Sequence, residues 1–256
     1  MENQTPFNNL NRWLFTAFKS AGYQTQKFLK ERGIESIRWI KTNMSDGQFL
    51  HLAFCVKSQC FGIWILPVND MGTLVQKDEI ERFVNTCTKY SIVPCFIKLK
   101  WDDFSPVNDY IFTDPFTNGP LNPIEKIIDC PVPMSEWELH NYSVDFSAYA
   151  LSDKGYKVVS ANDSLNVLPQ LILDVNGELQ FVIVDTKIVK RIDGIDELTL
   201  LKQSENNVFD FDKSKYPQFA GRTVYIMRIY VLADNSDGDV FRKETHLTGN
   251  SDLYKC

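Results

Sequence analysis

Residues 169–187, PQLILDVNGELQFVIVDTK, constrain the fold of this chain more than any other stretch. Two apolar runs, Leu171–Leu173 and Leu179–Val184, flank Asn176-Gly177. Asn and Gly tolerate the positive φ of a two-residue hairpin turn, so a β-hairpin is predicted. The second strand ends in Asp185-Thr186-Lys187. Residues two apart on a strand share a face, which sets a carboxylate beside an ammonium. Such a pair unites a potential metal ligand with a group able to stabilise developing negative charge.

Periodicity places further elements on both sides. A helix is predicted over 8–30, with Trp13, Leu14, Ala17, Phe18 and Ala21 on one core face and Gly22-Tyr23 as an interruption. Strands follow at 34–41, 49–56 and 61–68, with a turn at Ser45-Asp46-Gly47, then an amphipathic helix over 78–90 and a strand over 92–100. Residues 101–133 hold six of the eleven prolines, a density that disfavours helix and central strand. Ser135-Glu136-Trp137-Glu138 fits a capping box that opens a helix running to about Lys154. A strand at 157–160 precedes the hairpin. Short helices are expected at 197–203 and 213–220, a strong strand at 222–233, and a polar tail with a short edge strand.

The two halves repeat one order of elements: helix, hairpin, lysine, helical segment, strand. Gly22-Tyr23 matches Gly155-Tyr156, Asp46-Gly47 matches Asn176-Gly177, and Lys57 matches Lys187. The strand around Pro94 matches the one around Tyr225, all at a spacing near 130. The expectation is duplication of one αβ unit. Domains are drawn at 1–120 and 134–256, with a Pro-rich linker at 121–133. Each is predicted to be a mixed sheet of four or five strands with a helix packed on it.

Composition narrows the classes. The 44% hydrophobic and 23% charged content is that of a folded domain, and no apolar run is long enough to span a membrane. The N-terminal MENQTPFNNLNRW lacks the basic and apolar regions of a secretory signal. The six cysteines are scattered, and Cys55 and Cys60 have no second pair at zinc spacing, so reduced thiols and a cytoplasmic location are expected. His51, His140 and His246 are isolated in sequence, and no Ser/His/Asp motif or phosphate-binding loop occurs. The net charge of −6 falls wholly on the half from Met134 onward, which disfavours tight duplex binding there.

The hairpin with Asp185-Thr186-Lys187 resembles the core motif of the restriction-endonuclease-like PD-(D/E)XK family, and the order of elements resembles its Holliday-junction-resolvase-like branch. The resemblance implies an α/β fold of two tandem restriction-endonuclease-like domains, each a mixed central sheet flanked by helices. It implies vestigial catalytic roles for Glu138 on the helix, Asp185 and Lys187, with Glu138 and Asp185 as ligands of Mg²⁺ or Mn²⁺ were hydrolysis retained. The family's Pro-Asp position reads Pro169-Gln170, so an acid is replaced by a neutral amide, and Asp174 lies too near the turn to substitute. In the first half, only Lys57 survives at the spacing of 130.

Three functional readings follow. One is a nuclease-fold protein without catalysis, acting as a binding or scaffold module and needing no cofactor. Another is a divergent metal-dependent nuclease built on Glu138, Asp185 and Lys187. The third is a protein–protein interaction or regulatory module. Partners are a protein or a nucleic acid, not a membrane. The first and third are favoured, because the lost acid weakens metal binding.

Overall fold

The computed structural model describes residues 6–35, 37–45, 48–73, 75–128, 131–196, 199–200, 211–242 and 251–255. The chain forms two compact units, Met1–Asn43 with Gly47–Cys130, and Met44–Asp46 with Pro131–Cys256. Both are α/β with a mixed sheet. No helix among the described residues is long and apolar enough to cross a membrane.

The first unit opens with α1, Pro6–Lys30. Gly22 does not interrupt it. A helical glycine costs about 1 kcal/mol, which the burial of Trp13, Ala17, Ala21 and Leu29 outweighs. Strands β1 (Arg38–Ile40), β2 (Leu52–Val56) and β3 (Gln59–Asn69) form an antiparallel meander. Helix α2, Lys77–Lys89, then leads to β4, Ile92–Lys100, which lies parallel to β3. The edge strand β5, Phe112–Thr113, runs antiparallel to β4. Central β3 is buried over most of its length because helices cover both faces. Trp13, Ala17 and Leu29 of α1 pack with Phe61, Ile63 and Ile65. On the other face, Phe83 of α2 packs against Trp64 and Phe96.

The second unit repeats that order. Helix α3, Glu136–Asp153, precedes β6 (Lys157–Ala161), β7 (Leu171–Val175) and β8 (Glu178–Val189), again an antiparallel meander. A crossover leads to β9, Thr223–Leu232, parallel to β8, and β10, Ser251–Lys255, closes the edge antiparallel to β9. Strand order and sense are thus the same in both sheets, β1-β2-β3-β4-β5 and β6-β7-β8-β9-β10, apart from a two-residue strand, Gly72–Thr73, on the end of β3.

The equivalence differs from the one expected. Leu52 pairs with Ile63, and Leu171 pairs with Val182, a displacement of 119 for both partners. The first hairpin therefore turns at Lys57-Ser58, where Lys57 has φ 51°, the counterpart of Asn176 at φ 55°. Lys57 matches Asn176, not Lys187, while Asp46-Gly47 lies outside the described residues. Beyond the crossover, Ile63 pairs with Cys95 and Val182 with Tyr225, a displacement of 130 from Cys95 to Tyr225. The spacing near 130 is real only there, because the second crossover is 11 residues longer. Gly155, at φ 89°, ends α3, whereas α1 continues through Gly22 and is followed by Gly33 at φ 80°.

The 121–133 segment is not a free linker. Leu121 is buried in the first core, with Ile124 and Ile127 against it, whereas Pro133 bridges Phe241 in the second unit. The expected helix at 213–220 is two 3-10 turns, Lys213–Lys215 and Pro217–Phe219, since Pro217 has no N–H to continue a helix. Of the helix expected at 197–203, only 199–200 are described, as helical.

Cys55 and Cys60 form a disulfide, contrary to the expectation of reduced thiols. They stand directly opposite each other on β2 and β3, which the sequence spacing alone did not reveal. The inference of a cytoplasmic location rested on reduced thiols and does not carry over. Cys87 and Cys95 are buried free thiols whose pKa values burial pushes up. Cys130 and Cys256 lie outside the described residues.

Candidate functional site at the start of α3 and the middle of β8

Side chains alternate along β8. Val182 and Val184 join the core under α3, with Leu139, Val144 and Leu151. Ile183 points to the other face, among Phe219, Val224 and Ile226. Asp185 and Lys187 follow Ile183 onto that face. Glu138 belongs to the helix on the opposite side. The three expected site residues are therefore not assembled: Asp185 and Lys187 lie 3.6 Å apart, and Glu138 does not join them.

Asp185 is held by an arginine. Parallel pairing aligns it with Arg228 on β9, and Arg228 Nε donates to Asp185 Oδ2 at 2.8 Å. The Arg228 side chain is 4% exposed and that of Asp185 27%. Burial alone lowers the guanidinium pKa, but hydrogen bonds to Asp185 and Tyr230 outweigh it and leave the pKa raised. The Lys187 side chain, half-exposed, adds a second positive charge.

Glu138 is likewise committed. Its Oε2 accepts from Ser135 N and Ser135 Oγ, each at 2.9 Å, and Ser135 Oγ accepts from Glu138 N, which completes the predicted capping box. Arg242 then forks onto it, Nε to Oε1 at 2.7 Å and a terminal nitrogen to Oε2 at 2.8 Å. Both side chains are buried, and the bidentate pair commits both carboxylate oxygens to Arg242. Among the described residues, no group of three or more His, Cys, Asp or Glu is arranged to hold a metal ion.

Gln170 is structural too. The ladder between β7 and β8 ends at Leu171–Val182, and just beyond it the Gln170 side-chain oxygen accepts from Val184 N at 3.0 Å. The first unit makes the same bond: His51 Nδ1 accepts from Ile65 N at 2.9 Å. The displacement is again 119 for both partners. On this register, Asp185 and Lys187 fall on Leu66 and Val68, so the first unit keeps neither motif residue.

A cavity of about 470 Å³ opens beside the start of α3, between Glu136, Leu139 and His140 of the helix, Val184, Thr186 and Ile188 of β8, and the loop 238–240. That loop is pinned by Asn235, whose Oδ1 accepts from Gly238 N and Asp239 N, and by Met134 N donating to Val240 O. Two buried polar atoms, His140 Nε2 and Thr186 Oγ1, have no hydrogen-bond partner among the described residues. Leaving such an atom unpaired costs about 1–3 kcal/mol. Burial lowers the His140 pKa, against the opposing pull of Asp163 and Glu136, so the ring is neutral near pH 7.

Arg228 and Arg242 went unnoticed in the sequence, although an arginine amid the apolar run TVYIMRIYVL needs a buried partner. The cavity left no sequence signal, because His140 and Thr186 are 46 residues apart.

The molecule is thus a two-unit α/β protein with mixed sheets and arginine-held carboxylates in the second unit. Residues 137–221 match the model of a family described as a domain of unknown function (DUF8840). The match includes Glu138, His140, Gln170, Asp185 and Lys187, and ends before Arg228 and Arg242. No curated protein and no solved structure matches the chain.

Proposed function

We propose that this chain is a tandem, nuclease-like protein that works by binding and has given up hydrolysis. Each unit has the helix, meander, crossover and parallel strand that the PD-(D/E)XK resemblance implies, and the two share strand order and hairpin register. That supports one ancestral unit duplicated. The reading without catalysis rests on one observation: Arg228 donates to Asp185 at 2.8 Å. A divalent ion at Asp185 would meet a fixed guanidinium and the Lys187 ammonium, two like charges in place of the second carboxylate that hydrolysis needs. Glu138, on the other face, cannot supply it. The module reads as a scaffold for a protein partner in preference to nucleic acid, since the half from Met134 onward carries all the net negative charge.

The test is incubation of the full chain with labelled single- and double-stranded DNA and RNA in Mg²⁺ or Mn²⁺. No cleavage above background is expected. Cleavage that Asp185→Asn and Lys187→Ala both abolish would overturn the proposal.

A further inference from the structure

The two hairpins are closed by different means at one place. Cys55 pairs with Cys60 on β2 and β3, and Asp174 pairs with Leu179 on β7 and β8, the same displacement of 119 for both partners. In the second unit, turn chemistry holds the hairpin. Asn176 and Gly177 take φ 55° and 86°, which Asn and Gly favour, and Asp174 Oδ1 accepts from Gly177 N at 2.9 Å. Lys157 Nζ donates to Asp174 Oδ2 at 2.6 Å from β6. In the first unit, a lysine takes the positive φ, 51°, and the place of Asp174 belongs to Cys55, in disulfide with Cys60. We propose that this disulfide is a redox switch: it stands in for the turn chemistry of the second unit, and its reduction by a dithiol opens the end of the hairpin.

The electrons come from outside the chain. Cys87 Sγ lies beside Gly62, two residues along β3 from Cys60, but burial pushes its pKa up and keeps it a thiol, a poor nucleophile. A dithiol of the Cys-x-x-Cys class, or dithiothreitol, supplies them. One thiolate attacks a sulfur of the bridge to form a mixed disulfide, and the second thiol resolves it. The bridge takes up two electrons and two protons and becomes two thiols, and the reductant becomes a disulfide. Cys55 and Cys60 are 3% and 0% exposed, so the attack passes through local opening at the turn, where Lys57 is exposed. With the crosslink gone, a Lys-Ser turn gives the strands little to close on. Arg38 of the edge strand β1 pairs with Cys55, so the loosening reaches the edge of the sheet.

The switch goes beyond the nuclease-like reading and does not rest on it. The test uses the full chain, air-oxidised and after dithiothreitol, with alkylation and mass spectrometry to count free thiols at Cys55 and Cys60. The folded chain is expected to be reduced at both and to re-form the bond with glutathione disulfide. On reduction, amide exchange of residues 53–62 is expected to rise at least about tenfold, while that of the hairpin at 171–182 stays unchanged. The thermal midpoint read by tryptophan fluorescence is expected to fall by about 5–10 °C. Cys55→Ala with Cys60→Ala is expected to match the reduced parent and to ignore dithiothreitol. Lys57→Asn with Ser58→Gly supplies the turn chemistry without touching either cysteine, and is expected to cut the rise in exchange at least about threefold. A bond that dithiothreitol breaks only after unfolding, equal exchange in the two redox states, or a Lys57→Asn/Ser58→Gly protein as sensitive as the parent would each overturn the proposal.

Discussion

His51 and Gln170 occupy one place in two sheets and perform one task with different chemistry. Each offers a side-chain acceptor to a backbone N–H, Ile65 or Val184, where the neighbouring strand has left the ladder. Gln170 does so at any pH. His51 does so only while neutral at Nδ1, and it also stacks on Trp64 at 3.9 Å between centroids. Burial lowers its pKa to about 4. Below its ordinary 6.5, the unfolded chain therefore takes up a proton that the folded chain refuses. Stability of the first unit is full above about 6.5 and falls as the pH drops toward about 4, by on the order of 3 kcal/mol. His51→Gln places in the first unit the group the second already uses. It is expected to keep the bond, lose about 1 kcal/mol of ring stacking, and flatten the pH dependence. His51→Ala leaves Ile65 N unpaired and costs about 1–3 kcal/mol more. Tryptophan fluorescence during urea unfolding reads this, since Trp13, Trp39, Trp64 and Trp101 all lie in the first unit. A His51→Gln protein as unstable as His51→Ala, or with the parent's pH slope, would refute the shared role.

Among elements, the contact between α2 and β3 is the tightest to predict on. Gly62 sits on β3 where an added Cβ would come 2.8 Å from Cys87 Sγ, 3.1 Å from Leu50 Cδ1 and 3.2 Å from Ile92 Cγ2. Gly62→Ala must push α2 off the sheet or displace these side chains, at a cost of about 1–3 kcal/mol. Cys87→Ala in the same background removes the closest atom and recovers part of that loss. Thermal melts of the two variants decide the point, and a Gly62→Ala melt equal to the parent's would mean that α2 does not approach so closely. Element limits were largely legible beforehand. The strand 92–100, the helix from Ser135 and the hairpin at Asn176-Gly177 coincide with what spacing and turn chemistry predict. The first hairpin was not legible, because Lys57-Ser58 carries no turn signature and the Asp-Gly nearby drew the register away. The site was legible as residues and not as geometry. Sequence set Asp185 beside Lys187, but only the parallel register of β8 and β9 brings Arg228 to it. The capping role of Glu138 could be read from Ser135, whereas Arg242 lies 104 residues away.

At the scale of the whole molecule, one sheet topology appears twice and is used differently each time. The first unit carries apolar residues, buried Leu66 and half-buried Val68, where the second has Asp185 and Lys187. In the second, both carboxylates expected as metal ligands form arginine salt bridges, and that of Glu138 with Arg242 is buried. A buried arginine–carboxylate pair holds only if both partners stay, since loss of one leaves an uncompensated charge worth about 3–5 kcal/mol. On the proposed nuclease-like reading, these arginines stand where a bound ion would otherwise balance the carboxylates. The most direct measurement is a Mn²⁺ titration of the full chain followed by electron paramagnetic resonance, which counts free ion. The free-ion signal is expected to track added Mn²⁺ with no site saturating in the micromolar range, and Asp185→Asn is expected to change nothing. Loss of one equivalent of free Mn²⁺ in the parent, restored by Asp185→Asn, would contradict the account.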